Sequence, residues 1–216
     1  MLLSPEETNG LLAKYKLPAV KSAHIAASDF GKLAGEAKKM QPPLVLKGVA
    51  EGVVHKSEAG FIALGITNES ELKTAAENIA AAARKQSASL EGFILQEQAQ
   101  GVELIIGGKR DPVFGPTVLF GSGGVLTELF RDVAIRVCPV RKEDALEMIS
   151  ETKASKFFAV EGFRGRRVDT GKVVEMLLAT SKLLEENPRV MELDFNPVMA
   201  AGDNVLIADA RIVTGD

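Results

Sequence analysis

Glu192-Leu193-Asp194-Phe195-Asn196 is the segment whose residue types and spacing most clearly suit chemistry. Side chains alternate faces along a strand, so Leu193 and Phe195 can enter a core while Glu192, Asp194 and Asn196 share the other face. Asp209 comes later, within the otherwise apolar stretch 205–210, after a turn at Gly202-Asp203-Asn204. A hairpin there would set Asp209 beside Asn196. Oxygen donors on neighbouring strands, with water and substrate phosphates completing the shell, are what magnesium takes. The alternative is a solvated polar sheet face. A carboxylate inside an apolar stretch favours the cation, because burying it alone is costly.

Lys47 closes the run Leu44-Val45-Leu46 beside Gly48. A lysine there suits a phosphate as a point charge; an exposed strand terminus is the plainer reading. His55 opens His55-Lys56-Ser57-Glu58 in a glycine-containing loop. A surface histidine is ordinarily just solvated, yet an imidazole partly unprotonated near neutral pH can attack phosphorus. Gln96-Glu97 ends another strand-like run, where such pairs usually meet solvent. The glycine clusters fit neither standard nucleotide motif. Gly107-Gly108-Lys109 would need a glycine where Glu103 stands, and Gly121-Ser122-Gly123-Gly124 would need one at Leu126. A glycine cluster between strand and helix still lets backbone N–H groups approach an anion.

The elements that must position these residues can be read from punctuation and periodicity. Ser4-Pro5-Glu6-Glu7 carries a helix cap, a first-turn proline and a capping-box glutamate, for a helix reaching about residue 16. A strand near 20–25, a helix over 28–40, a break at Gln41-Pro42-Pro43 and a strand at 44–46 come next. A strand over 61–66 precedes an alanine-rich helix capped by Asn68 and running to about 86. The second half predicts strands at 92–97, 102–106 and 117–120, then helices over 142–151, 154–160 and 169–187. Strands at 190–195 and 205–210 close it. Strands that come directly after strands, mixed with helices, indicate α+β rather than a doubly wound parallel sheet.

Composition removes several function classes. The 216 residues are 46% hydrophobic and 25% charged, ordinary for a globular protein of one large or two small domains. Lys plus Arg is 26 against Asp plus Glu 29, a net charge of −3. That balance gives no reason to expect nucleic acid or an anionic membrane as partner. No apolar run approaches the roughly 20 residues that span a bilayer, and the first residues lack the layout of a signal peptide. Cys138 alone excludes a disulfide framework or multi-cysteine metal site, and His24 and His55 are too few for a histidine-rich zinc site. A cytoplasmic, reducing setting is expected.

In this order and spacing the pieces resemble the ATP-grasp (beta) subunit of ADP-forming acyl-CoA synthetases. These are also called acetate–CoA ligases (ADP-forming), relatives of succinyl-CoA synthetase. The resemblance covers nearly the whole chain. It runs through Val45-Leu46-Lys47, His55-Lys56-Ser57-Glu58-Ala59-Gly60, Glu103-Leu104-Ile105-Ile106-Gly107 and Arg110-Asp111-Pro112-Val113-Phe114-Gly115-Pro116. It continues with Phe120-Gly121-Ser122-Gly123-Gly124, Gly162-Phe163-Arg164-Gly165, Glu192-Leu193-Asp194-Phe195-Asn196-Pro197 and Asp209-Ala210-Arg211.

The resemblance implies an α+β ATP-grasp fold of two subdomains with nucleotide between them. The small one would span 21–95, and the larger 1–20 with 96–216. It implies that Lys47 holds ATP phosphates and that Gln96, Glu97 and Glu103 bind nucleotide, the first two at the hinge near adenine and ribose. Asn196 and Asp209 would carry magnesium, with Glu192 and Asp194 adjacent. His55 would take the phosphoryl group and exchange it with a second histidine on a CoA-binding alpha subunit or domain. Gly48, Gly52 and Gly60 suit a loop that visits two sites. Such a hetero-oligomer would interconvert acyl-CoA, ADP and phosphate with acid, CoA and ATP. A non-catalytic nucleotide-sensing module of a larger regulatory or acetyltransferase fusion is the alternative, although a sensor has no need of His55. One departure is Phe61, where the family usually has a second glycine. A phenylalanine at that point would narrow the phosphate site.

Overall fold

The computed structural model describes residues 1–50, 60–123 and 132–215. Helix α1 (Pro5–Lys14) begins as the capping box dictates. The Glu7 N–H donates to Ser4 Oγ at 3.2 Å, and the Ser4 N–H donates back to Glu7 Oε2 at 2.8 Å. The helix ends at Tyr15, ahead of Leu17-Pro18.

The chain divides into two compact units, Val20–Gln98 and Met1–Ala19 with Ala99–Asp216. In the first, β1 (Ser22–Ala26) leads into a 3-10 turn (Ala27–Lys32) and the short helix α2 (Leu33–Ala37). The single helix expected over 28–40 is therefore broken. Asp29 leaves helical geometry (φ −105°, ψ 25°), and Gly31 and Gly35 lower the helical propensity of the next turns. Strands β2 (Leu44–Ala50) and β3 (Ile62–Ile66), helix α3 (Glu69–Lys85) and β4 (Leu90–Glu97) complete the unit. The strands form an antiparallel sheet in the order β1-β4-β2-β3.

The core of this unit joins Leu44 and Leu46 of β2, Phe93 and Leu95 of β4, and Leu72, Ala76 and Ile79 of α3. Phe61 is wholly buried within it. Only glycine fits at position 48, where a Cβ would lie 2.6 Å from Ile79 and 2.8 Å from Phe61. Gly48 is thus a packing residue inside β2, not part of a flexible loop.

The second unit contains β5 (Val102–Asp111), β6 (Gly115–Ser122), β7 (Val133–Val137), α4 (Lys142–Glu151) and a 3-10 turn (Lys153–Phe157). After these come α5 (Thr170–Glu186), β8 (Val190–Ala201), β9 (Asn204–Ile207) and β10 (Ala210–Thr214). The helix expected at 154–160 is only the 3-10 turn. The strand expected at 205–210 is two strands, β9 and β10, that pair with different halves of the long β8. The named strands pair antiparallel, in the order β10-β8-β5-β6-β7 with β9 beside β8.

Helices α4 and α5 bury their apolar stripes against the face bearing Leu104, Ile106, Phe120, Leu193 and Phe195. Arg110 ties the sheet to the end of α5, donating through Nη2 to the Leu184 carbonyl at 2.7 Å and the Asn187 carbonyl at 3.4 Å. Among the described residues, no helix is long and apolar enough to cross a membrane.

Candidate functional site

In the first unit, Lys47 lies inside a strand rather than at its exposed end. It is only 6% exposed, with β4 and β3 on either side. Pairing sets Lys47 opposite Ile94, Ile94 opposite His24, and Lys47 opposite Ile62, so one cross-strand row runs His24–Ile94–Lys47–Ile62. Leu44, Leu46 and Gly48 point to the α3-covered core, so by alternation Lys47 faces the other side. Gln96 shares that side. It pairs with Val45, two residues along β2 from Lys47, and is 5% exposed. A buried, strand-held ammonium next to a buried amide is an arrangement that bare sequence alternation did not favour.

Glu97 points the opposite way. Its carboxylate accepts the Gln41 N–H at 2.9 Å and so fastens the Gln41-Pro42-Pro43 turn. The structure brings Gln96 to the face of Lys47 and sends the Glu97 side chain elsewhere. Phe61 corrects another expectation. Its carbonyl accepts the Gly48 N–H at 2.8 Å, and its ring packs into the core, away from the face of Lys47. The ring fills space beside Gly48, so it does not narrow a site on the lysine side. His55 and its loop lie outside the described residues.

In the second unit, β8 alternates as expected. Leu193 and Phe195 are buried, while Asp194 and Asn196 are half-buried and Glu192 is exposed. Asn196 meets Asp209 directly: its N–H donates to the Asp209 carbonyl at 3.1 Å. Asp209 itself occupies the short gap between β9 and β10, and it is exposed. The cost of burying a carboxylate therefore gives no support to a cation here. The support comes from its neighbours.

Burial first, then the charges of Asp209 and Glu192, push the Asp194 carboxyl above the ordinary aspartate value, while Arg211 pulls it down. Asp209 and Glu192 thus crowd the Asp194 carboxylate with like charge, and a divalent cation bound beside them would relieve that repulsion. Among the described residues, no three His, Cys, Asp or Glu side chains are placed to hold a metal ion. The donor set is one carboxylate and one amide, which fits magnesium if phosphates and water supply the remaining ligands.

Pairing also reveals two cations that sequence reading passed over, Arg211 opposite Asp194 and Lys109 opposite Glu192. Their strand parity with the acidic segment was the available signal. Glu103 sits on β5 opposite Met199, exposed, on the face that alternates with buried Leu104 and Ile106. The glycine cluster is different in kind. A Cβ at Gly121 would meet the Asp132 carbonyl at 2.3 Å, and one at Gly123 the Leu104 backbone at 2.7 Å. Both glycines let strands approach; Gly124 lies outside the described residues.

Two antiparallel α+β units are the architecture of the ATP-grasp class, and the chain belongs to it: residues 1–214 match the ATP-grasp domain family. It is 40% identical over 175 residues to the acetate–CoA ligase (ADP-forming) I subunit beta of Pyrococcus furiosus, covering 79% of this chain and 75% of that one. It is 33% identical over 217 residues to the acetate–CoA ligase (ADP-forming) II of Archaeoglobus fulgidus, covering all of this chain but only 31% of the relative. A solved structure of acetyl-coenzyme A synthetase 1 from Ca. Korarchaeum cryptofilum, holding coenzyme A and Ca-AMPCP, matches with TM-score 0.90 and 37% identity. That match covers 100% of this chain and 93% of the other. Another structure of that enzyme holds coenzyme A and Mg-AMPPCP, with a phosphohistidine segment pointing towards the nucleotide site. It matches with TM-score 0.83 and 35% identity, over 99% of this chain and 93% of the other.

Proposed function

We propose that the chain is the ATP-grasp component of an ADP-forming acid–CoA ligase. It works in the cytoplasm with a CoA-binding alpha subunit or domain as a hetero-oligomer. Together they interconvert acyl-CoA, ADP and phosphate with the acid, CoA and ATP. The observation that carries this reading is the burial of Lys47 within β2, on the same face as Gln96. A lysine held there is a fixed positive charge suited to nucleotide phosphates.

In the proposed assignment, Lys47 neutralises the transferring phosphoryl group, and Gln96 with the backbone of Glu97 borders the base and ribose. Glu103 is a further nucleotide-binding residue in this assignment. Asn196 and the Asp209 carboxylate hold magnesium, which when bound supplies charge neutralisation at the phosphates. His55 is the nucleophile. An unprotonated ring nitrogen attacks the γ-phosphorus, the P–N bond forms as the bond to the β,γ-bridging oxygen breaks, and ADP leaves with that electron pair. The phosphoryl group then passes to the partner's histidine, and in the direction of ATP synthesis the steps reverse.

The test uses γ-labelled ATP with magnesium on the full chain. Label should appear as acid-labile, base-stable phosphohistidine and vanish in His55→Ala, while nucleotide binding persists in that variant. Binding without any transferable label would instead identify a nucleotide-sensing module.

A further inference from the structure

The segment 156–168 is used by none of the roles above, yet it gathers Lys156, Arg164, Arg166 and Arg167 against the single carboxylate of Glu161. Phe163 and Arg166 pair as a tight hairpin, each N–H donating to the other's carbonyl, at 2.8 Å and 3.0 Å. The two residues at its tip have positive φ, Arg164 at 52° and Gly165 at 73°. Glycine or asparagine is the usual occupant of the first such position, so an arginine there is held against its backbone preference.

The base of the hairpin is rigid. The Val168 N–H donates to the Phe157 carbonyl at 2.9 Å, the Gly202 N–H donates to the Arg167 carbonyl at 2.8 Å, and Val168 is buried in the core. Phe163 packs edge-on to Phe157 at 5.7 Å. Lys156 and Arg164 sit over its ring, at 5.9 Å and 5.4 Å from the centroid. Arg166 lies directly across the hairpin, and Arg167 comes next in the chain.

Like charges gathered this closely repel one another unless carboxylates intervene. None does: among the described residues, Arg164, Arg166 and Arg167 form no ion pair. All three are exposed, as is Phe163. The cluster therefore stands as a concentrated basic tip on a chain whose net charge is −3.

We propose that this hairpin is a docking element for a carboxylate-rich protein surface, carried by the CoA-binding subunit or domain; this rests on the two-part ligase reading above. Two features favour a protein over other anions. The arginines are exposed, whereas small-molecule sites are concave. The remainder of the chain is acidic in balance, which opposes a nucleic-acid backbone. Arginine forks grip carboxylates and phosphates alike, two bonds at a time, and the ring beneath Arg164 preorganises that side chain at small entropic cost. Opposite charge at an exposed tip chiefly accelerates encounter and fixes orientation.

The experiment measures association of the full chain with its purified CoA-binding partner at low and high ionic strength. The Arg164→Gln/Arg166→Gln pair should slow association about tenfold at low salt and flatten its salt dependence. Arg164→Lys/Arg166→Lys should keep most of the rate, and Lys156→Gln should give a smaller loss in the same direction. Magnesium–ATP titration of each isolated variant should be unchanged, which separates docking from folding and from the nucleotide site. Wild-type rate and salt slope in the glutamine pair would overturn the docking role alone. Coenzyme A binding to the isolated chain, lost in that pair, would overturn it in favour of a small-anion site. No association of the wild-type chain with the partner would remove the two-part reading, and the docking role with it.

Discussion

The Asn196 N–H donates to the carbonyl of Asp209 at 3.1 Å, so the two side chains leave the sheet from directly facing backbone positions. The junction exists because β8 is long enough to pair with β9 at one end and β10 at the other. Asp209 occupies the gap between those two partners. Main-chain pairing fixes the backbone from which its carboxylate projects.

Asp209→Ala should therefore leave the hairpin intact, since the bond to Asn196 uses the backbone carbonyl. Magnesium–ATP affinity should fall by about tenfold or more, the scale of losing one charged oxygen ligand and about 1.4 kcal/mol of binding. Titration calorimetry beside a circular-dichroism melt checks both halves. An unchanged affinity would remove Asp209 from the proposed cation site.

Phe61→Ala should be a stability variant and not a nucleotide variant. The ring is wholly buried between Gly48 and α3, and truncating such a phenylalanine typically costs about 3–5 kcal/mol. Denaturant melts should show this loss. A gain in nucleotide affinity at unchanged stability would mean that the ring obstructs the phosphate side after all.

The sequence announced some of these arrangements and hid others. The Ser4 and Asn68 caps, the alternation of Leu193 and Phe195 with polar residues, and the Asn196–Asp209 meeting obey local rules, and each was legible. The burial of Lys47 was not, because exposure at the end of an apolar run depends on how many strands flank it. The direction of Phe61 depended on Gly48, a residue of the neighbouring strand, leaving room for a ring. The Glu97 side chain turned to Gln41 because the Gln41-Pro42-Pro43 turn needed an acceptor, a requirement visible only once β1, β2 and β4 are in register. Arg211 beside Asp194 likewise emerges from strand pairing, not spacing.

Glu71 provides a pH-dependent prediction. It accepts from the Thr67 N–H at 2.7 Å and Thr67 Oγ1 at 2.9 Å, and the backbone bond chiefly holds its carboxyl below the ordinary glutamate value. A carboxylate depressed on folding stabilises above its ordinary value, and that contribution is lost as pH falls through the lowered one. Glu71→Gln should thus lower the melting temperature near neutral pH, with the difference from wild type shrinking towards acid. A difference that stayed constant across that range would show that the charge contributes nothing at the start of α3.

Lys47 is the sharpest test of the proposed nucleotide site. Methionine matches its length, suits a position only 6% exposed, and removes the charge. Replacing a buried ion by an apolar group of similar volume is often tolerated by the fold, so Lys47→Met should remain folded. Magnesium–ATP affinity should drop by about tenfold or more, about 1.4 kcal/mol or above, and labelling of His55 should drop with it. Arginine at the same position keeps the charge but spreads it over a wider, planar head with a different donor geometry, so Lys47→Arg should not restore full activity. Full labelling in the methionine variant would show that the buried ammonium serves the sheet and that the phosphates are held elsewhere.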